Sequence, residues 1–527
     1  MTPSGRGPEL SRRSLLRLGA VVGAGFVFGP QLAACAGPTG APAPGSMTMA
    51  LNRSLVSLDN KLNQFDAAVT VQRAVRQALT QISADLTPEL VLAERFELTA
   101  PTQWTVRLRE GVRYSDGSPV TPQDVAVALE MYQGVSGSFL ATLIPEWPTV
   151  TPVDDRTFLL ETEQPQPVLD YLMSNILITP AAANKPEELQ EGVGSGPYVV
   201  TRSNRGTGEY TLQANDAYWG PPALIKTVNV RFMPEESSRV VAMRSGEVDV
   251  IDTISPESAE QLAGLPDVHI QSTEGTRINQ LFYNFRKPPD HPLADPRVRE
   301  ALTYAIDGQA LVEQVFLDSV TEATGVVPGS LTGAKSGYEY VFDPRRCRQL
   351  LDAQGIGPDD LELTVIWETG EFANDTLVME SLVQMFRDVG VRTRLQQFEP
   401  GGDISTWRRG EAGDWDVLGN GFPNPTGLAL TTLQGMYGGT AEKEQTRDTY
   451  HGYVFPEVER LISAASAEID PAARQALLDQ AQDAVWDTWP CLWAFVPNAV
   501  LARQSRVRDI ELKPTNSFDL STTGLVV

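Results

Sequence analysis

Three cysteines and three histidines in 527 residues give metal and redox chemistry little to work with. His269, His291 and His451 stand far apart and form no metal-ligand spacing with one another, so no metal site, no cofactor and no zinc or haem enzyme are expected. Of the cysteines, Cys347 and Cys491 fall in the body of the chain. A single disulfide between them is compatible with the sequence. Cys347, on the apolar side of a helical pattern with Leu350 and Leu351, reads as a buried free thiol. Positive charge is scarce too: 42 lysines and arginines face 67 aspartates and glutamates, for a formal net charge of −25. Phosphates would be repelled, so no nucleic-acid partner is expected. After Phe28 no apolar run approaches the roughly 20 residues needed to span a bilayer.

What the sequence does have begins with an export signal. Ser11-Arg12-Arg13-Ser14-Leu15-Leu16-Arg17 is a twin-arginine pattern, and the glycine-punctuated apolar stretch Leu18 to Phe28 follows it. Leu32-Ala33-Ala34-Cys35 then sets small residues before a cysteine, the pattern a lipoprotein signal peptidase reads. Residues 1–34 are therefore expected to be a twin-arginine lipoprotein signal peptide. Cys35 becomes the lipid-bearing N-terminus on the outer face of the cell membrane, and residues 35–46, rich in Gly, Pro and Ala, form a tether. The other reading is an ordinary signal with an incidental cysteine. The roughly 490 residues left are enough for two or three domains with ample core.

The mature chain mixes strands and helices, the mark of α/β lobes. Met47 to Leu51 alternates as a first strand. Val69 to Ile82 has helical spacing, with Val71, Ala74, Val75, Ala78 and Leu79 on one face. Gln103 to Arg109 alternates strictly, as a half-buried strand does. Thr121-Pro122, Ser255-Pro256, Asp295-Pro296, Asp343-Pro344 and Asp470-Pro471 are helix starts, a capping side chain followed by a proline that needs no N–H. Strands are read at Val228 to Phe232 and Leu363 to Trp367. Gly192 to Gly196 precedes the extended Pro197-Tyr198-Val199, so neither a nucleotide loop nor a nucleophile elbow at Ser195 is read there. Gly194 and Gly196 are expected to let the backbone bend.

Five segments in order carry a resemblance: Trp104 to Val125, Gly194-Ser195-Gly196-Pro197-Tyr198, Asn215 to Gly220, Arg239 to Ile251, and Asp295 to Asp307. Together they resemble the extracellular solute-binding proteins of the oligopeptide, dipeptide and nickel class, family 5, which serve ABC importers. The resemblance covers nearly all of residues 47–527. It implies a two-lobed, periplasmic-binding-protein-like α/β clamp with an extra subdomain. Residues 47–65, 180–280 and 490–527 would make lobe I, 66–179 the added subdomain, and 281–489 lobe II. The strand Gly275 to Phe285 would lead from one lobe to the other, with crossings near Leu281 to Phe285 and Pro490 to Pro497. The resemblance further implies a monomeric receptor that does no chemistry, captures a peptide or other small solute, and passes it to a membrane permease.

The cleft is expected at Asp414 to Pro425. Peptide binders carry a Gly-Trp pair here, then an aspartate for the ligand's amino terminus. This chain has Gly421-Phe422, and Asn424 is the nearest match to the aspartate. An amide cannot replace that ion pair, and Asn424-Pro425 also reads as a simple turn. Gly419, Asn420 and Gly421 would line the floor. Phe65, Tyr283, Trp407 and Phe422 offer broad apolar contact, or core. Asn63, Gln64 and Asn284 offer neutral hydrogen bonds, or are a solvated turn and a strand end. A binder of a metal chelate, haem or a siderophore-like solute is the alternative. A secreted hydrolase would need a catalytic constellation, and none is read.

Overall fold

The computed structural model describes residues 45–526 apart from 54–57, 59–60, 62–65, 136–137, 184–192, 205, 401 and 440–450. The first strand, Ser46–Leu51, pairs in parallel with Thr227–Phe232 on one side and Val250–Asp252 on the other. Flanked on both edges, it is buried nearly throughout, as parallel strands are. Glu209–Ala214 and Tyr198–Asn204 extend this sheet antiparallel. A second layer of parallel strands forms from Glu362–Glu368, Arg392–Phe398 and Val417–Phe422. The helix Asp375–Asp388 links the first two of these. A separate four-stranded antiparallel sheet, built from Ala93–Ala100, Gln103–Leu108, Thr157–Glu161 and Thr149–Pro152, makes the added layer. Trp104, Val106 and Leu108 are buried there, as the alternation requires.

The two parallel sheets share one strand. Cys491–Gln504 pairs with Ile278–Tyr283 through its first half and with Val268–Glu274 and Val250–Asp252 through its second. The switch lies between Glu274 and Asn279, at the facing ends of those two strands, and between Phe495 and Asn498 on the shared one. Gly275 sits at the switch, where its N–H donates to the Pro497 carbonyl at 3.1 Å. A Cβ there would lie 2.5 Å from the same oxygen, so only glycine fits.

The proline-led helix starts are realised with their caps. Asp295, Asp343 and Asp470 each accept from a first-turn N–H at 2.8–2.9 Å, and Ser255 accepts from Ser258 N at 3.3 Å. Each such cap contributes about 1 kcal/mol. Asp124 Oδ2 takes both Thr121 N and Thr121 Oγ1, at 2.8 and 2.9 Å.

Two sequence readings are corrected. The helix expected over 69–82 covers Asp66–Val75 only, and Thr80–Ile82 is a strand against Pro88–Leu90. Ala78 and Leu79 are buried as the spacing implied, but by a chain that has turned. The cause is at the helix end, where Gly196 N donates to the Val75 carbonyl at 2.9 Å. The second correction follows from the first: Gly194 and Gly196 serve close approach rather than bending. Neither has a positive φ. Cβ atoms there would lie 1.9 Å from Val75 O and 2.3 Å from Ala74 O.

Cys347 and Cys491 are both free and buried, and burial pushes each thiol up to about 12. No helix of the described residues is long and apolar enough to cross a membrane.

Candidate functional site

In open α/β sheets, ligands bind beyond the carboxyl ends of the parallel strands. Here those ends are Leu51 and Asp252 in one sheet, and Glu368 and Phe422 in the other. Around Phe422 two groups of side chains meet, set by the antiparallel register of Ile278–Tyr283 against Val417–Phe422. Asn279 stands opposite Gly421, and Gln280 opposite Asn420.

The first group is polar. Glu371, in the turn after Glu362–Glu368, pairs with Arg277 Nη2 and accepts from Gly421 N at 3.1 Å. Arg277 Nε donates to Asn279 Oδ1 at 3.0 Å. Gly421 N also donates to Asn420 Oδ1, at 2.7 Å. Asn279 Nδ2 on this face, and Gln280 Nε2 and Asn420 Nδ2 on the opposite face, are buried without a hydrogen-bond partner among the described residues. Such groups are rare in folded proteins and call for a physical reason. Burial raises the Glu371 carboxyl, while Arg277, Arg408 and the Gly421 N–H hold it down.

The second group is aromatic and lies on the other face of the same strands. Phe422 meets Phe139 of the added layer edge to face, at 5.7 Å between ring centres. Phe282 stacks on His451 at 4.7 Å. The Tyr437 hydroxyl donates to Gln280 Oε1 at 2.9 Å. The added layer closes on the segment after Phe422: Asn175 Nδ2 reaches Pro425 O at 3.4 Å, and Leu86 packs over Gly427.

The residues expected from sequence divide in three. Asn63, Gln64, Phe65 and Cys35 lie outside the described residues. Gly421 lies with Arg277, Asn279 and Glu371 on one face, and Asn420 and Phe422 lie with Gln280 on the other. The others have their polar groups engaged within the second sheet's own layer. Tyr283 donates to Arg299 O at 2.8 Å and is fully buried. Asn284 donates to Trp415 O at 2.9 Å. Trp407 stacks edge-on against Phe398, and its carbonyl takes Trp415 Nε1. Gly419 gives room to Met379, whose Cε would lie 2.2 Å from a Cβ.

Of the two readings at Asn424, the bonds describe the turn. Its Nδ2 donates to Leu428 O and Thr432 Oγ1, and its Oδ1 accepts from Thr426 N, Thr426 Oγ1 and Gly427 N. A side chain so saturated has nothing left for a ligand. The sequence reading missed Arg277, Asn279, Gln280, Glu371 and Tyr437. Arg277, Asn279 and Gln280 were open to view in the crossing strand. Glu371 and Tyr437 carry no local signal at all.

His451 gives this region a pH dependence. Burial pushes its imidazole down to about 3, against about 6.5 in an unfolded chain. Between those values the unfolded chain holds a proton the folded one refuses, so this contribution falls as pH drops below 6.5. Asp170 works the other way: burial lifts its carboxyl to about 6, so its contribution improves as pH falls through that value. The His451 part is isolated by substitution. His451→Gln should cost about 2 kcal/mol less at pH 5 than at pH 7, measured by urea unfolding. An equal cost at both pH values would show that the imidazole is not held neutral.

Comparison with known proteins agrees with this architecture. The family model described as "Bacterial extracellular solute-binding proteins, family 5 Middle" matches residues 87–444. The glutathione-binding protein GsiB of Salmonella typhimurium is 26% identical over 484 residues, covering 88% of this chain and 92% of that protein. The solved structure of the ABC transporter substrate binding protein CtaP from Listeria monocytogenes superposes with a TM-score of 0.81 at 19% identity, covering 91% of this chain and 99% of that one. A dipeptide binding protein of a Pseudoalteromonas species, solved in complex with Met-Leu, gives 0.77 at 17% identity, over 91% and 100% of the two chains. The chain is a two-lobed α/β clamp, and it belongs to the bacterial extracellular solute-binding proteins of family 5, the solute receptors of ABC importers.

Proposed function

We propose that this protein is a lipid-anchored, monomeric receptor that captures a peptide or peptide-like solute in the cleft at Phe422 and delivers it to a membrane permease. Supporting this is one observation above the others: the buried amide N–H groups of Gln280 and Asn420 stand without partners on the face of the apolar wall of Phe139 and Phe422, and that of Asn279 stands without one on the opposite face of the same strand. Amide donors answer carbonyl and carboxylate oxygens, which a peptide carries at every residue. The aromatic wall tolerates varied side chains. Residues 47–65, 180–280 and 490–527 act as lobe I, 66–179 as the added subdomain and 281–489 as lobe II, with Cys35 holding the whole to the outer face of the membrane.

The test is the ligand itself. Mass spectrometry of small molecules released from purified protein should find a peptide or a peptide-like compound. Added back at about 100 times its dissociation constant, that compound should stabilise the fold by about 2.7 kcal/mol, and small-angle scattering should show a smaller radius of gyration. A released metal chelate, haem or siderophore would replace the peptide reading. A ligand that binds and leaves the radius unchanged would remove the closing motion.

A further inference from the structure

The ion pair of Arg277 and Glu371 is a fixed dipole at the carboxyl end of the second sheet. Arg277 stands two residues beyond Gly275, where the chain passes between the sheets, and Glu371 belongs to the turn above Glu362–Glu368. The two charges touch, and Glu371 Oε1 also holds the Gly421 N–H. Neither is sealed: the side chains keep 33% and 15% of their exposure. Beside them Asn279 Nδ2 is buried and unpartnered among the described residues, its Oδ1 already taken by Arg277. Gly421 makes the arrangement possible, since a Cβ there would lie 2.0 Å from Asn279 Oδ1 and 2.7 Å from Arg277 Nε.

Resting on the reading that this cleft holds the solute, we propose that Arg277 and Glu371 receive an α-aminocarboxylate headgroup, an ammonium and a carboxylate borne on one carbon. Because the protein's charges are in direct contact, a solute that answers both must carry its own charges side by side. Free amino acids and γ-glutamyl peptides do so, whereas the termini of an ordinary α-peptide stand at least a residue apart. On binding, the carboxylate takes Arg277 with the free N–H of Asn279, and the ammonium takes Glu371. One ion pair gives way to two, so neither side chain is left partly buried and unpaired, which is the costly outcome when one member of such a pair is removed. A solute with one of its charges blocked would force that outcome. Arg408 also lowers the Glu371 carboxyl and Glu368 raises it, each less than Arg277 does.

Isothermal titration of the mature protein tests this with glutathione, free amino acids and α-dipeptides, each beside its N-acetylated form. The tightest ligand should carry the headgroup, and acetylation should weaken it about 10- to 100-fold, the worth of a charged hydrogen bond. Glu371→Gln keeps the shape and should abolish the preference for the free ammonium. Glu371→Asp should retain it, which separates charge from folding. A tight ligand without the headgroup, or an unchanged preference in Glu371→Gln, would overturn the assignment and leave solute capture standing. If nothing in the panel binds, the assignment also falls, and the mass spectrum of the released ligand decides capture on its own.

Discussion

Asp249→Ala is expected to lower the stability of the protein by about 3–5 kcal/mol. The Asp249 side chain is 1% exposed and receives Arg506 through both oxygens, at 2.5 and 2.6 Å. Its Oδ2 also takes Thr48 N at 2.7 Å, and Arg506 reaches on to the Ser46 carbonyl. Removing the carboxylate leaves the Thr48 N–H without its partner and the guanidinium with the Ser46 carbonyl alone, where the first strand meets the end of the last. Urea unfolding measures the loss. Asp249→Asn keeps the shape and should fall between wild type and alanine. The exposed pair of Arg460 and Glu457 is the contrast: water screens it, and Glu457→Ala should leave the melting curve unchanged. If Asp249→Ala melts with that surface variant, the pair is not what joins the two ends of the chain.

The other large effect is on location. Cys35→Ala should move the protein from the membrane fraction to the soluble fraction altogether, because no described helix offers a second hold on the bilayer and the acidic surface is repelled by anionic lipid. Fractionation after salt and carbonate washing reads the result. A variant that stays with the membrane would mean that Leu32-Ala33-Ala34-Cys35 is not the anchor.

Much of the fold was legible because its signals are local. Capping residues followed by proline announce helices by a mechanism that needs no partner, and the four caps at Ser255, Asp295, Asp343 and Asp470 formed. The alternation at Trp104 likewise states which face is buried. The misreadings came where distant chain intervenes. Nothing near residue 76 says that the helix stops, because residues 194–196 lie across its end. The candidate site was legible only in part for the same reason. Asn420, Gly421 and Phe422 follow one another along a strand. Glu371 and Arg277 are joined through pairings nearly a hundred residues apart, and a lone glutamate in a turn looks like solvated surface. Asn424 misled because its residue type suits a ligand contact and a turn equally, and only its hydrogen bonds separate the two.

The strand Cys491–Gln504 has a consequence for the order in which the protein is made. Both parallel sheets stay open along an edge until that strand arrives, and Arg506 closes on Ser46 across 460 residues of sequence. Neither sheet is complete before that strand has been made. Pairings this remote are closed late and slowly, and the unpaired edges are prone to aggregate meanwhile. The first strand finds its own neighbours, Thr227–Phe232 and Val250–Asp252, without the late strand, and the edges of both sheets are sealed only when Cys491–Gln504 docks between them.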